Sequence, residues 1–226
     1  MSSDARPAFY ALRAGGWRDY VTLLHPPYTL WHLSYAAIGG ALVPHMRWNV
    51  LGWTVLAFLL AMGVGAHALD ELQGRPLRTG IPRRVLVTLA VVSIAAACAV
   101  GLWVASWRTW WLLAFVGAGA FIVVAYNLEL FDGAFHSDVW FGLAWGAFPL
   151  LTAYVACAGR VRGEAVLAAA FAFLSSLAQR TLSTPVRRAR RVAGDAEATR
   201  SHELALQLLA ASLPLLAGAL LLMRAA

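Results

Sequence analysis

The sequence predicts an all-α fold, a polytopic bundle of about seven transmembrane helices, on three observations. Of 226 residues, 61% are hydrophobic and only 13% are charged, and the mean hydropathy is +0.67. A soluble domain is about half apolar and a quarter charged, so the excess belongs in lipid. The apolar residues fall in successive runs near the roughly 20 residues that one crossing needs. The charges lie largely between those runs, above all in two loops.

Residues 1–24 carry Asp4, Arg6, Arg13, Arg18 and Asp19 and lack the apolar core of a signal peptide. The first span therefore serves as the insertion signal. Spans are expected at 28–44, 49–69, 84–105, 109–126, 138–158, 164–181 and 203–223. The first, second, third and seventh rest on apolar length. The fourth opens at Trp107, Trp110 and Trp111, residues suited to a membrane interface. The sixth is alanine-rich. Gly39, Gly40, Gly63, Gly65, Gly117 and Gly119 suit close helix approach. Short connections predict one integral membrane domain over 1–226, with a cytoplasmic segment at 1–27 and the bundle at 28–223.

All 18 basic residues are arginine, and the net charge is +7. On a soluble protein this balance would point to nucleic acid. Beside membrane spans, arginines instead meet anionic headgroups, so membrane lipids are expected as partners and nucleic acid is not. The absence of lysine is of the kind a GC-rich bacterial genome gives. With the N-terminus inside, thirteen arginines fall on the cytoplasmic side and five outside. That bias predicts a multi-pass protein of the cell membrane, here a bacterial inner membrane, with a cytoplasmic N-terminus and an external C-terminus. Cys98 and Cys157 lie inside apolar runs with no Cys/His cluster, so both read as small hydrophobes.

Both charged loops, 67–84 and 179–200, fall on the cytoplasmic side of this arrangement. His67, Asp70 and Glu71 stand at i, i+3 and i+4, and a continued helix would put them on one face. Two carboxylates and an imidazole there suit a divalent cation, magnesium best, because it prefers oxygen ligands shared with substrate phosphates. The same spacing suits a helix end whose acids are solvated or paired with Arg75 or Arg78. Arginine forks match phosphate oxygens, and the turn-like GRPLRTG segment would hold Arg75 and Arg78 near the acids. Arg83 and Arg84 need no more than the positive-inside rule.

Arg180, Arg187, Arg188, Arg190 and Arg191 form the second basic cluster, readable also as a headgroup-binding face. Thr181, Ser183, Thr184 and Pro185 suggest a capped turn there. Tyr126, Asn127 and Glu129 close the fourth span, where Tyr126 also fits as an interfacial tyrosine. Asp132, His136 and Asp138 are expected to be solvated, and His25, His32, His45 and His202 suggest no ligand set. No nucleophile elbow, HExxH or P-loop occurs.

The order of these parts resembles the UbiA superfamily of membrane prenyltransferases. Those proteins have nine transmembrane helices around a cavity open to the cytoplasm and bilayer. Their first acidic motif, NDxxDxxxD, follows helix two and runs into Arg-Pro-[Leu/Ile]-x-[Ser/Thr]-Gly. Here ALDELQ is followed by Arg75-Pro76-Leu77-Arg78-Thr79-Gly80-Ile81, similar to a shortened version. YNLEL leading to FGLAWGAFPLLTAY, with Tyr126 and Tyr154, is similar to the family's tyrosine-ended helices, with Thr152 in place of a glycine. The first motif keeps Asp70 with Glu71, while His67 stands for an asparagine and Gly74 for an aspartate. Gln179 and Arg180 occupy the slot of the second acidic motif; Asp195 and Glu197 come later.

The resemblance implies a UbiA-like enzyme that transfers or cyclises an isoprenoid from a prenyl diphosphate. Its partners would be that diphosphate and a lipophilic or aromatic acceptor. It implies Asp70, Glu71 and Tyr126 as catalytic residues and His67, Asp70 and Glu71 as holders of Mg2+. Arg75, Arg78, Arg180, Arg187 and Asn127 would bind the diphosphate. A second expectation is a non-catalytic lipid-binding or partner-binding membrane protein that retains the scaffold, supported by the missing second acidic motif. A seven-helix chain would also gain from a homo- or hetero-oligomeric partner to close a cavity that nine helices enclose.

Overall fold

The structure, a computed structural model, describes residues 7–192 and 199–226. Asp4, Arg6, Asp195, Glu197 and the side chain of Arg191 lie outside the described residues. The chain forms a short helix α1 (Trp17–Leu23) and seven long helices: α2 (Pro26–Ala41), α3 (Trp48–Leu72), α4 (Arg83–Trp107), α5 (Trp111–Asn127), α6 (Asp138–Ala158), α7 (Gly163–Val192) and α8 (Arg200–Ala225). No strand occurs among the described residues.

Five helices are long and apolar enough to cross a membrane: α3, α4, α6, α7 as far as Arg190, and α8. Large apolar side chains on them point outward, as in Leu167, Leu215 and Leu222, each more than 70% exposed. Such faces are stable against lipid rather than water. The other two expected spans are shorter. α2 has 16 residues and α5 has 17, below the usual crossing length. α2 is also central. Its Trp31 and Tyr35 are fully buried among Ala147, Leu150, Ala169, Ala172, Ala210 and Leu213 of α6, α7 and α8, so neighbouring helices, not lipid, satisfy its sides.

Glycine permits the closest crossings. A Cβ on Gly39 of α2 would lie 2.2 Å from the backbone oxygen of Leu150 on α6. One on Gly146 of α6 would lie 2.4 Å from the backbone oxygen of Ala172 on α7. Only a hydrogen fits at either point. α3 and α6 each contain a π-helical stretch, Leu59–Ala66 and Gly142–Ala147. Such widened turns re-aim the side chains beside them, here His67 just after the first and Trp145 within the second.

α7 departs most from expectation. It continues past residue 181 to Val192, and no turn forms at Thr181–Pro185. Pro185 deprives the Thr181 carbonyl of its usual donor, but Thr181 is exposed to solvent. The Ser183 and Thr184 hydroxyls donate to the Arg180 carbonyl at 3.2 and 2.9 Å, holding the helix together locally. The extra eleven residues, about 16 Å of helix, carry Arg187 and Arg190 over one end of the bundle.

Candidate functional site

The loop between α3 and α4 is built on one carboxylate. Glu71 is fully buried. It accepts from the backbone N–H of Leu77 at 3.0 Å, the N–H of Thr79 at 2.8 Å and the Thr79 hydroxyl at 2.8 Å. Arg75 folds back and donates to the carbonyls of Thr79 at 2.7 Å and Ile81 at 3.0 Å. Asp19 of α1 accepts from the N–H of Gly80 at 2.9 Å and from that of Gly15 at 2.9 Å. Arg75 and Arg78 adopt left-handed backbone, φ 51° and 56°, a conformation these bonds enforce against its steric cost. The GRPLRTG segment is thus a stapled platform.

The staple divides the expected acidic triad. On a helix, Asp70 and Glu71 diverge by about 100° on either side of His67. His67 and Asp70 face a cavity, whereas Glu71 faces the loop and Arg75 is bound within it. Neither Glu71 nor Arg75 lines the cavity.

That cavity occupies about 430 Å³ at the end of the bundle where α2, α6 and α8 begin and α3 and α5 end. It gathers His67, Asp70, Arg78, Tyr126, Asn127, Arg180 and Arg187 of the expected site residues. Asp70 is half-buried and makes no hydrogen bond or ion pair with the described residues. Arg78 is likewise free of such partners, and among the described residues the Arg187 guanidinium makes one hydrogen bond, donating to the Thr184 hydroxyl at 3.3 Å. Arg180 is partly engaged: its Nε pairs with Asp138 at 2.8 Å, and its guanidinium lies 5.4 Å from the Phe141 ring centre. Asp138 is therefore paired rather than simply solvated. Arg190 pairs with Glu203. The Asn127 amide donates to the Val123 carbonyl at 2.6 Å, leaving its oxygen for the cavity.

His25, His32 and His136 join His67 here, against the expectation that those three are scattered or solvated. His25 stacks on His67 with ring centres 4.0 Å apart and an interplanar angle of 7°. His67 donates through Nδ1 to the Gly63 carbonyl at 3.1 Å, since a carbonyl can only accept, and so presents Nε2 elsewhere. The Tyr10 hydroxyl and His25 Nδ1 share a hydrogen bond of 2.9 Å. His136 donates to the Tyr126 carbonyl at 3.0 Å and stacks on the Tyr126 ring at 4.5 Å. His32 completes the wall. His25 and His32 stand seven residues apart at the cap and in the body of α2, but Tyr10, His67 and His136 come from separate segments, so no spacing rule in the sequence connects the whole group. His25 alone carries a local signal, standing before Pro26-Pro27 in left-handed backbone, φ 46°.

Burial, then the neighbouring His67 and His32, holds the His25 imidazole well below its ordinary pKa. Burial, reinforced by Tyr28 and Asp70, pushes the Tyr10 hydroxyl well above its own. Buried His25 Nε2, His32 Nδ1, Tyr126 OH and Gln179 Oε1 have no hydrogen-bond partner among the described residues, and all four residues line the cavity. Orphaned polar atoms cost about 1–3 kcal/mol each unless a ligand or water meets them.

Phe141, Trp145 and Tyr126 form an aromatic wall. Phe141 stacks on Trp145 at 5.8 Å, and Tyr126 lies 4.4 Å from Trp145. One turn further into the bundle, Val123 and Phe148 line a second, apolar pocket between α3, α4, α5 and α6.

Among the described residues, no three His, Cys, Asp or Glu side chains gather as a metal-binding group. Of the expected triad, Asp70 alone offers free carboxylate oxygens to the cavity. This donor set fits one magnesium ion that takes its remaining ligands from phosphate and water, and does not fit an all-protein cluster. Comparison with protein-family models, curated proteins and solved structures finds no match to the chain.

Proposed function

We propose that the chain is a compact, UbiA-like membrane prenyltransferase that takes a prenyl diphosphate in the polar cavity and transfers or cyclises its isoprenoid. In this reading α2 and α5 count with the five long helices as crossings, and the cavity and N-terminus face the cytoplasm. The supporting observation is the convergence on one cavity of Asp70 with Arg78, Arg180 and Arg187, all next to an aromatic wall and an apolar pocket.

The diphosphate sits among the three arginines, whose forks match its oxygens. The N-termini of α2 and α6 border the same space and favour negative charge there. Asp70 would hold a magnesium ion shared with the diphosphate, and that ion supplies positive charge to the leaving group. The allylic C–O bond breaks with its electron pair passing to the diphosphate oxygen, and the arginines stabilise the charge that develops. Tyr126, Phe141 and Trp145 present ring faces to the allylic cation and exclude water from it. The isoprenoid tail extends into the apolar pocket. A lipophilic or aromatic acceptor bonds to the cation and releases a proton into the cavity. His25, His32 and Gln179, with their unmet polar atoms, orient it.

The test is binding of a prenyl diphosphate to purified protein with and without magnesium, comparing wild type with Asp70→Ala. Magnesium-dependent binding lost in the variant supports the site. Unchanged binding rejects Asp70 as its centre. The use of Glu71 inside the loop favours a second reading, a lipid- or partner-binding protein on the same scaffold. That reading expects binding without turnover for every acceptor offered.

A further inference from the structure

A second charged recess lies at the opposite end of the bundle, outside everything assigned above. It occupies about 330 Å³ and is lined by His45, Arg47, Arg108, Tyr154, Arg160 and Arg162, among others. Two of these arginines are already satisfied. Arg108 donates from Nε to the Ala156 carbonyl at 3.0 Å and from its terminal nitrogen to that of Cys157 at 2.8 Å, capping α6. Arg162 pairs at 3.1 Å with Glu164, whose carboxylate also accepts from the Tyr154 hydroxyl at 2.7 Å. The side chains of Arg47 and Arg160 make no hydrogen bond or ion pair with the described residues.

Four guanidinium groups therefore share one recess with a single carboxylate beside them. Burial, and then the like charge of neighbouring Arg47, lower the pKa of the Arg108 guanidinium. Crowded cations of this kind call for an anion. The surrounding surface fixes its depth in the membrane. Trp48, Trp107, Trp110 and Trp111 stand exposed at this end, and tryptophan settles at the headgroup level. Arginine forks recognise phosphate in two-point contact.

We propose that this recess is a phosphate-binding site at headgroup depth, held chiefly by Arg47 and Arg160 over the Arg108 cap. The phosphate comes from an anionic phospholipid or from a soluble phosphoryl compound. Neither source depends on the prenyltransferase reading.

The experiment titrates detergent-purified protein with phosphatidylglycerol or phosphatidylcholine by native mass spectrometry. In parallel it measures thermal unfolding with inorganic phosphate. Three proteins are compared: wild type, R47Q/R160Q, and R83Q/R84Q. The last removes the same charge from exposed positions at the cavity end. Wild type is expected to retain one phosphatidylglycerol at least tenfold more strongly than phosphatidylcholine. R47Q/R160Q should lose that preference and R83Q/R84Q should keep it. If the lipid shows no preference but phosphate raises the melting temperature of wild type and not of R47Q/R160Q, the site stands with a soluble anion. If neither probe separates wild type from R47Q/R160Q, or if R83Q/R84Q loses as much, the proposal is overturned. Neither substituted pair bonds to the fold through its side chains, so both variants should elute and unfold like wild type without ligand.

Discussion

Two arginines at the far end of the bundle and two at the cavity end serve different purposes. At the end facing away from the cavity, Arg108 caps the last carbonyls of α6, and Arg224 donates to the Ala41 carbonyl at the end of α2 at 2.8 Å. There the guanidinium answers unpaired C-terminal carbonyls and the negative end of the helix dipole. At the cavity end, Arg78 rides on a stapled loop and Arg187 on the overhang of α7, and neither meets a helix C-terminus. Their charge remains available to a ligand. For these four arginines the difference lies in whether a helix C-terminus is within reach of the guanidinium.

The largest expected effect lies in the staple that holds the cavity end in shape. Glu71→Ala removes the acceptor of three buried donors and should cost about 3 kcal/mol or more of stability, read as a lower melting temperature in detergent. Retention of the wild-type melting temperature would break the distinction between the structural Glu71 and the cavity-facing Asp70. Asp70→Ala should leave stability close to wild type.

Next comes the crossing that joins the two ends. Gly39→Ala places a methyl against the Leu150 backbone and should destabilise by about 1–3 kcal/mol. A variant as stable as wild type would show that α2 and α6 can separate freely.

Arg187→Gln sharpens the contrast between free and capping arginines. It should weaken prenyl diphosphate binding about tenfold, or about 1.4 kcal/mol, with no change in melting temperature. Arg108→Gln should do the reverse, lowering the melting temperature while leaving diphosphate binding intact.

The smallest effect is the pH dependence at His25. Its folded pKa is depressed, so between that value and the ordinary 6.5 or so the unfolded chain binds the extra proton. The stability it supports is complete above about pH 6.5 and is lost as pH falls below that, by at most about 1.4 kcal/mol per pH unit. Asparagine tolerates the left-handed backbone at this position. His25→Asn should therefore flatten the fall of melting temperature from pH 7 to 5, and an unchanged slope would remove His25 as its source.

Much of the helical layout was legible because bilayer crossing imposes a length and an apolar composition that a linear sequence displays. The starts of α3, α4, α6 and α7 fall within one residue of expectation. The ends of α2 and α7 do not. α2 stops short of Pro44, whose ring disfavours helix in the residue before it, and α7 runs on because solvent accepts what Pro185 leaves unpaired. In the site, His67, Asp70, Arg78, Tyr126, Asn127, Arg180 and Arg187 were legible as polar residues at the ends of apolar runs. Tyr10, His25, His32 and His136 were not, since they join the cavity from the N-terminal segment, from α2 and its cap, and from the loop before α6.

By itself the sequence determined that the chain is helical, that several of its helices suit a membrane, and that its charges gather at helix ends. Those properties follow from composition and from spacing along the chain. Only the tertiary structure decided which of two adjacent acids faces the cavity. Asp70 and Glu71 have similar chemistry, and the 100° between them on α3 acquires meaning only once the Leu77–Thr79 backbone folds over one of them.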